Sequence, residues 1–468
     1  LFAGSLSAQT TAQREHLTRF RDSLAGGTDT AAMVELESRL IKVARVARDS
    51  TMLHLELGLV ALRMAELGSR SRYDDAASEF EWAIDLAPDW PWPWYGLGLA
   101  EGGIGGTGYS LFTRFQALFN VDHRTLASEN FTRSVTLDSA FIPGVLGLAE
   151  NVAHQRLNAD HDNLLQMVRQ VASTDAAAGS AAYQLTRGRV ERVHGDADSA
   201  LAAFRRYLDL AGPDALGRLE LARTRLMVGD LEAAESWYSA AGSGNMEAVR
   251  GIREDLSFIV TDSELVVLRS AAGPELAALL HRFWDLRAGR SLRTPGERLA
   301  EHYRRLYYAR RHFVRGPTRR RYFGPEFYES RQEEFDDRGE LYIRHGPPDE
   351  RVVNMGGGCA NESWRYDRPD GPFVLHFRAT RDALDYRLVA SVFDLICDPE
   401  AAENILLTRL DLSPIYEDLA FANVRMPTLL NEERWRGKQS IEHSTRTDEF
   451  LLDFDESLPV FAQILTVG

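Results

Sequence analysis

Apolar and small residues recur at helical spacing through most of the first 255 residues, and the pattern returns with a fixed period. Gly195-Asp196 is followed by Ala200, Phe204 and Tyr207, and the same order comes back as Gly229-Asp230, Ala234, Tyr238 and Ala241, an offset of 34 residues. The preceding helices match as well: Leu185 and Gly188 stand where Leu219 and Ala222 stand one unit later. Small residues there let paired helices approach, and the aromatic ring fills the gap beside them. Upstream, Ala76, Phe80, Ala83 and Pro88 have the spacing of a second helix and its stop. Trp94, Leu97 and Gly98 open the next pair, whose second helix carries Ala127, Phe131 and Ser134 after an insertion from Gly102 to Thr125. From Glu340 the period shortens. Leu341–Arg344, Trp364–Tyr366, Phe373–Phe377 and Tyr386–Ile396 read as strands, separated by turns rich in Gly, Pro and Asp. They predict an antiparallel sheet closed on one side against helices over 274–314 and 413–443. The fold class expected is therefore α+β, an all-α N-terminal part followed by an α+β domain.

The 34-residue register and the W-x-x-L-G order resemble the tetratricopeptide repeat, which implies an α-solenoid over roughly residues 31–270 with a concave face for partners. In that family the first helix of each pair lines this face. The resemblance therefore nominates Trp92, Tyr95, Arg189, Arg192 and Arg223 as partner-binding, an aromatic and guanidinium set suited to an acidic or C-terminal peptide segment. The alternative is that Trp92 packs in a Pro-rich turn and the arginines are solvated.

Between His281 and Arg321 stand 13 arginines against Asp285, Glu297 and Glu301, inside a chain of formal net charge -15. Thr294-Pro295-Gly296-Glu297 reads as a capping box with Pro at the first helical position. Leu299, Tyr303, Leu306, Tyr307 and Phe313 form the stripe that should be buried, and Glu301 can pair with Arg305. Arg298, Arg304, Arg305 and Arg311 are expected to project elsewhere, where internal salt bridges, an acidic partner or a polyanion would engage them. This stretch, 271–330, is read as an Arg-rich connector.

Phe283-Trp284, the Thr294-Pro295-Gly296 start, Glu301–Arg305 and the run from Asp337 to Glu350 resemble the GWxTD domain of bacterial exported proteins, as does the Trp364-Arg365-Tyr366 strand. The name-giving motif is altered: Glu334-Phe335-Asp336-Asp337 stands in its place, keeping the Asp and one aromatic position. The resemblance covers about 275–400, implies no established activity, and makes 331–468 a GWxTD-like domain.

The chain has 468 residues, 44% hydrophobic and 26% charged, which excludes a wholly disordered protein. Net acidity argues against a dedicated nucleic-acid binder. Residues 1–30 are read as a tail whose opening, Leu1 to Ala8, resembles the end of a secretory signal peptide. Pro459–Val467 reads as a strand cut at Gly468. The two cysteines, Cys359 and Cys397, would form a disulfide in an exported protein and stand as two buried thiols in a cytosolic one. Only two lysines occur, so an individual arginine carries little information.

Tempting motifs have plainer readings. Gly103–Gly108 spells G-x-G-x-x-G but follows a helix, and is expected to be a flexible insertion. Asn158–Asn163 lacks the Gly and Glu of a calcium loop and is expected to cap the helix that follows. Gly356–Gly358 reads as a loop. No metal-ligand spacing, nucleophile elbow or cofactor fingerprint is present. The function expected is a non-enzymatic scaffold, exported to the periplasm or cell surface, that binds protein partners or self-assembles, with no cofactor. One alternative is a hydrolase-like site near His345 and Asp349; another is polyanion capture by the Arg-rich helix.

Overall fold

The computed structural model describes residues 9–106, 122–154, 159–290, 292–314, 328, 334–354, 360–368, 371–379, 385–397, 402–421 and 426–446. The leader-like residues 1–8, most of the 102–125 insertion, Asn158, the connector arginines Arg315, Arg319, Arg320 and Arg321, Gly356–Cys359 and the expected terminal strand over 459–467 lie outside the described residues. The chain is mostly helical, with one small antiparallel sheet near its C-terminal end, and divides into two compact units at Gly212/Pro213.

The first unit contains α1 (Thr11–Ala25), α2 (Thr30–Ala44), α3 (Thr51–Glu66), α4 (Arg72–Leu86), α5 (Pro91–Gly106), α6 (His123–Leu137), α7 (Ile142–His154), α8 (His161–Val171), the single turn α9 (Asp175–Ala178), α10 (Ala181–His194) and α11 (Ala197–Ala211). Its starts are written in the sequence: Ser50, Asp122, Asp160, Ser180 and Asp196 each accept a backbone N–H of the first turn. Asp160 thus caps α8 as expected of the calcium-like stretch. The expected tail is structured from Thr10 on, where a capping box with Gln13 starts α1 and Leu17 and Leu24 are buried. The G-x-G run is helical too, since Gly103 to Gly106 complete α5.

One packing device recurs here. Phe80 of α4 presses its ring on Gly58 of α3 and Gly96 of α5; Phe131 of α6 does the same to Gly98 of α5 and Gly147 of α7; Phe204 of α11 meets Gly188 of α10. A Cβ at Gly58 or Gly147 would lie 2.6 Å from a ring carbon. Glycine inside a helix costs about 1 kcal/mol relative to alanine, so at these positions it is close approach, with aromatic rings buried between helices, that offsets the loss. A single apolar core runs from Leu17 through Phe80, Tyr95, Phe131 and Val168 to Val190.

The second unit contains α12 (Ala215–Met227), α13 (Ala233–Ala241), α14 (Met246–Leu256), α15 (Asp262–Ser270), α16 (Gly273–Arg290) and α17 (Glu297–His312), then α18 (Asp337–His345), β1 (Glu350–Asn354), β2 (Asn361–Tyr366), β3 (Phe373–Ala379), β4 (Tyr386–Val389), α19 (Ala402–Leu407), α20 (Pro414–Phe421) and α21 (Met426–Arg446). The strands form an antiparallel meander in the order β1-β2-β3-β4. The sheet differs from expectation in three ways. Leu341–Arg344 belongs to α18, because Asp336 caps a helix there by accepting the N–H groups of Arg338 and Gly339. Tyr386–Ile396 is a strand only to Val389 and then a 3-10 turn over Val392–Leu395. Helical segments cover both faces rather than one. Trp364 on one face meets Phe313 and Tyr342 at 5.7 and 6.5 Å between rings. On the other, Val389 joins Leu412, Ile415, Tyr416 and Leu419 in a second cluster, with Val352 and Val374 packed against it.

The expected stripe on α17 is buried at Leu299, Tyr303, Leu306 and Tyr307, with Phe313 just beyond its end. Its start differs from the predicted box. Gly296 precedes the helix in the left-handed region (φ 84°), and Glu297 turns back to accept the Thr294 N–H at 3.1 Å. Hydrogen bonding to the Thr294 side chain, and then to its backbone N–H, holds the Glu297 carboxyl below its usual range.

Candidate functional site

In the first unit, the C-terminal ends of α3, α5 and α7 and the N-terminal turns of α4 and α6 surround a cavity of about 580 Å³. Its lining includes Gly98, Gly102, Gly103 and Gly147, with the Phe131 ring filling the side-chain space at Gly98 and Gly147 and the Tyr73 ring that at Gly103, and its polar wall is Glu66, Arg70, Tyr73, Arg124, Glu150 and Asn151. Asn151 is 3% exposed and ties the wall together: it accepts from Arg124 Nη1 at 3.0 Å and donates to the Arg124 carbonyl and Ser128 Oγ, both at 2.8 Å. Asp122 caps α6 beneath it and accepts the Thr125 hydroxyl at 2.8 Å. Burial draws the Arg124 guanidinium below its usual value, against the pull of Asp122 and Glu150. The groove thus presents a fixed cation beside carboxylates, with the Phe131 and Tyr73 rings packed on its glycines.

The nominated side chains lie elsewhere. Trp92 is 1% and Tyr95 7% exposed; they meet edge to face at 5.5 Å and both touch Phe141. Arg21 of α1 reaches over them, 5.8 Å from the Trp92 ring and 3.4 Å from the Tyr95 hydroxyl. The helix that the sequence reading left as a tail is what covers this pair, so neither side chain is open to a partner. Arg189 is half-buried, and Arg192 is buried with its guanidinium 5.2 Å from the Phe204 ring.

In the second unit Arg223 is buried in an ionic hub that no local pattern announced. Asp255, 2% exposed, takes Arg223 at 2.5 Å, Arg310 at 3.3 Å and the Tyr303 hydroxyl at 3.1 Å. Trp237 donates to Tyr303 at 2.6 Å, Glu220 flanks Arg223 at 3.3 Å, and Glu334 takes the other side of Arg310 at 2.7 Å. The basic helix is consumed in the same way. Arg298 is fully buried 5.8 Å from the Trp284 ring, and Arg305 is buried between Glu301 and the Arg344 carbonyl. Contrary to expectation these two do not project outward; Arg304 and Arg311 do, and Arg304 also pairs with Glu301.

Around the altered GWxTD-like motif the carboxylates have structural work. Asp336 caps α18 and holds Arg338; Asp337 accepts the Leu388 N–H of β4 at 2.8 Å. Burial pushes Asp336 up to about 6 and Asp337 to about 7. Glu362 receives Arg351, Arg338 and the Trp364 indole; burial opposes its charge, yet the arginines hold it below its usual range.

His345 is 5% exposed at the end of α18, hydrogen-bonded through Nε2 to the Ser444 carbonyl at 2.7 Å, and burial lowers it to about 3. Asp349 sits on an exposed turn accepting the Asp367 N–H at 2.7 Å. Among the described residues no carboxylate is hydrogen-bonded to His345, and Asp349 is not paired with it. Cys397 is disulfide-bonded; Cys359 lies outside the described residues. Among the described residues no three metal-binding side chains converge and no helix is long and apolar enough to cross a membrane. No protein-family model matches this chain, and no curated protein matches it.

Proposed function

We propose that this chain is a non-enzymatic scaffold that holds a protein partner, built on tetratricopeptide-type helix pairs in a solenoid and completed by a GWxTD-like domain. The observation that supports it best is the glycine-lined groove of the first unit. Its wall carries Glu66, Arg124, Asn151 and Glu150 beside the Phe131 and Tyr73 rings, a lining that matches the side-chain charges and the backbone N–H and C=O groups of an extended peptide. The partner segment expected is one of mixed charge, since the set that suggested an acidic or C-terminal peptide segment is buried at Trp92, Tyr95, Arg192 and Arg223 and half-buried at Arg189. Export to an oxidising compartment belongs to the same proposal and is supported by the bonded state of Cys397.

The test places a photo-crosslinking residue at Arg70 or Glu150, on the groove wall, in the protein expressed at native level and recovered from the cell envelope. A single stoichiometric adduct that disappears in Arg124→Glu is the expected result. A monomer with no adduct at either position would overturn the scaffold reading.

A further inference from the structure

A buried polar chain crosses the sheet of the second unit and ends at a cavity, apart from the peptide groove. Ser363 of β2 faces His376 of β3 directly in the register, Oγ to Nδ1 at 2.7 Å. His376 Nε2 lies 2.8 Å from the Tyr416 hydroxyl on α20. At the other end Arg409 gives Nε to Ser363 Oγ at 2.9 Å and its Nη2 to Asn361 Oδ1. Ser363 and Arg409 are fully buried, His376 is 2% and Tyr416 4% exposed.

The direction of this chain follows from donor arithmetic. A guanidinium only donates, so Ser363 Oγ is an acceptor toward Arg409. The serine proton must still be used, because a buried hydroxyl proton without an acceptor costs the full desolvation of the group. Its remaining neighbour is His376 Nδ1, which is thereby the bare nitrogen of a neutral ring. His376 then carries its proton on Nε2 and gives it to the Tyr416 oxygen. Tyr416 is left with its own proton, which none of these groups can accept.

Tyr416 forms part of the wall of a cavity of about 360 Å³ between the end of β3, α20 and α21. The apolar part of the lining is Phe373, Val374, Ile415 and Trp435, the last 61% exposed at the lip, and Ser413, Gln439, Ser440 and His443 add polar groups. Gly437 sets the width: α21 presses there on the Ala390 carbonyl so closely that no side chain fits. The charges around the cavity are already engaged. Glu433 accepts the Ser391 hydroxyl at 2.5 Å and the Val392 N–H at 2.7 Å, and Arg436 pairs with Glu432 at 2.6 Å.

We infer that the Tyr416 hydroxyl is a fixed hydrogen-bond donor into this cavity, which takes a small uncharged molecule with an aromatic or branched apolar body and a carbonyl acceptor. The volume lies within the usual range for small-molecule pockets, and apolar walls with a few placed polar groups are their usual composition. A charged ligand would meet no unpaired counter-charge, and a hydrocarbon would leave the tyrosine proton unanswered.

The probe is N-acetyl-4-fluorophenylalaninamide, titrated against the full chain by fluorine NMR. 4-Fluoroethylbenzene and N-acetyl-4-fluorophenylalaninate serve as comparators. The amide is expected to saturate at least tenfold more tightly than either. Tyr416→Phe should erase the advantage over the hydrocarbon, and Trp435→Ala, at the exposed lip, should weaken both. Nitrogen NMR of the unliganded wild type is expected to show His376 protonated on Nε2, a readout that stands if Tyr416→Phe fails to fold. Absence of saturation, an amide preference that survives Tyr416→Phe, or a His376 proton on Nδ1 would each overturn the inference.

Discussion

The first unit buries rings against glycines; the second buries charges against charges. Among its buried polar groups the first has Asn151, Gln184, Glu191 and Arg192, whereas the second has Asp255, Arg223, Arg298, Asp336, Asp337, Glu362 and Arg409, with His302, His345 and His376 besides. The cause is topological. Helix pairs satisfy their backbone groups within each helix, so close approach needs only small residues and a ring. In the second unit, helices distant in the chain and a four-stranded sheet with helical segments on both faces bring together residues far apart in the chain, and specific polar contacts fix their placement. Non-local pairing of this kind makes the second unit the more sensitive to a single lost partner.

The largest expected effect breaks the ionic hub. Asp255→Ala leaves Arg223, Arg310 and the Tyr303 hydroxyl buried without their shared acceptor. A loss of about 3–5 kcal/mol is expected for removing one side of a buried ion pair. Hydrogen exchange should locate it: peptides over 215–256 and 297–312 exchange faster, while those over 51–106 are unchanged. Equal acceleration in both would remove the distinction between the units.

Acid comes next. His376, lowered to about 3 by burial and then by Arg409, stays neutral in the fold while the unfolded chain protonates near 6.5. Its contribution is therefore complete above about pH 6.5 and lost as pH falls toward 3, about 2 kcal/mol of it by pH 5. Asp337 acts with the opposite sign. Raised to about 7, it takes up a proton in the fold before the unfolded chain does, so its penalty shrinks as pH falls from 7 toward 4. A difference isolates the histidine: between pH 7.5 and 5, wild type should lose about 2 kcal/mol more than His376→Gln in urea unfolding. Parallel profiles would mean that His376 is charged in the fold.

A smaller effect tests the first unit's device. Gly188→Ala places a methyl group against the Phe204 ring. Overpacking of this kind costs about 1–3 kcal/mol, from which the better helix propensity of alanine recovers about 1 kcal/mol. Gly68→Ala, where nothing lies within 4 Å but φ is +116°, is the comparison for backbone strain alone. A lower melting temperature is expected in both, with the exchange of α10 and α11 changed only in Gly188→Ala.

What the sequence disclosed follows the same division. The 34-residue register located α10 to α13 because ring and small residue recur at fixed local spacing, and the α17 stripe was readable for the same reason. The sheet was half legible: Trp364 and Phe373 announced β2 and β3, while Leu341–Arg344, with strand-like residues, became helical through the Asp336 cap. The cover that α1 puts over Trp92 and Tyr95 could not be read, since it depends on Arg21 meeting residues more than seventy positions away. Nor could the hub at Asp255, which gathers residues of four separate helices, or the chain from Arg409 to Tyr416, whose members meet only once the sheet is formed. The groove was hidden for a different reason: Gly103 was visible, but as part of an expected flexible insertion rather than as groove lining.

The smallest effect has the sign opposite to that of His376 and lies in the first unit. His123 Nδ1 stands 2.5 Å from Glu101, and this hydrogen bond raises the histidine above its usual value despite partial burial. The stabilisation is thus fully present below pH 6.5 and fades as pH rises through the raised folded value. The pair is partly open to solvent, so about 0.5 kcal/mol is expected, in the range of exposed ion pairs and reduced by salt. Glu101→Gln should abolish the dependence: exchange over 91–106 and 123–137, compared at pH 6 and 8 after correction for intrinsic rates, should differ in wild type and coincide in the variant. A pH response that survives the substitution would assign it to another group. The contrast between a unit steadied by a protonated histidine and one steadied by neutral ones would then rest on His376 alone.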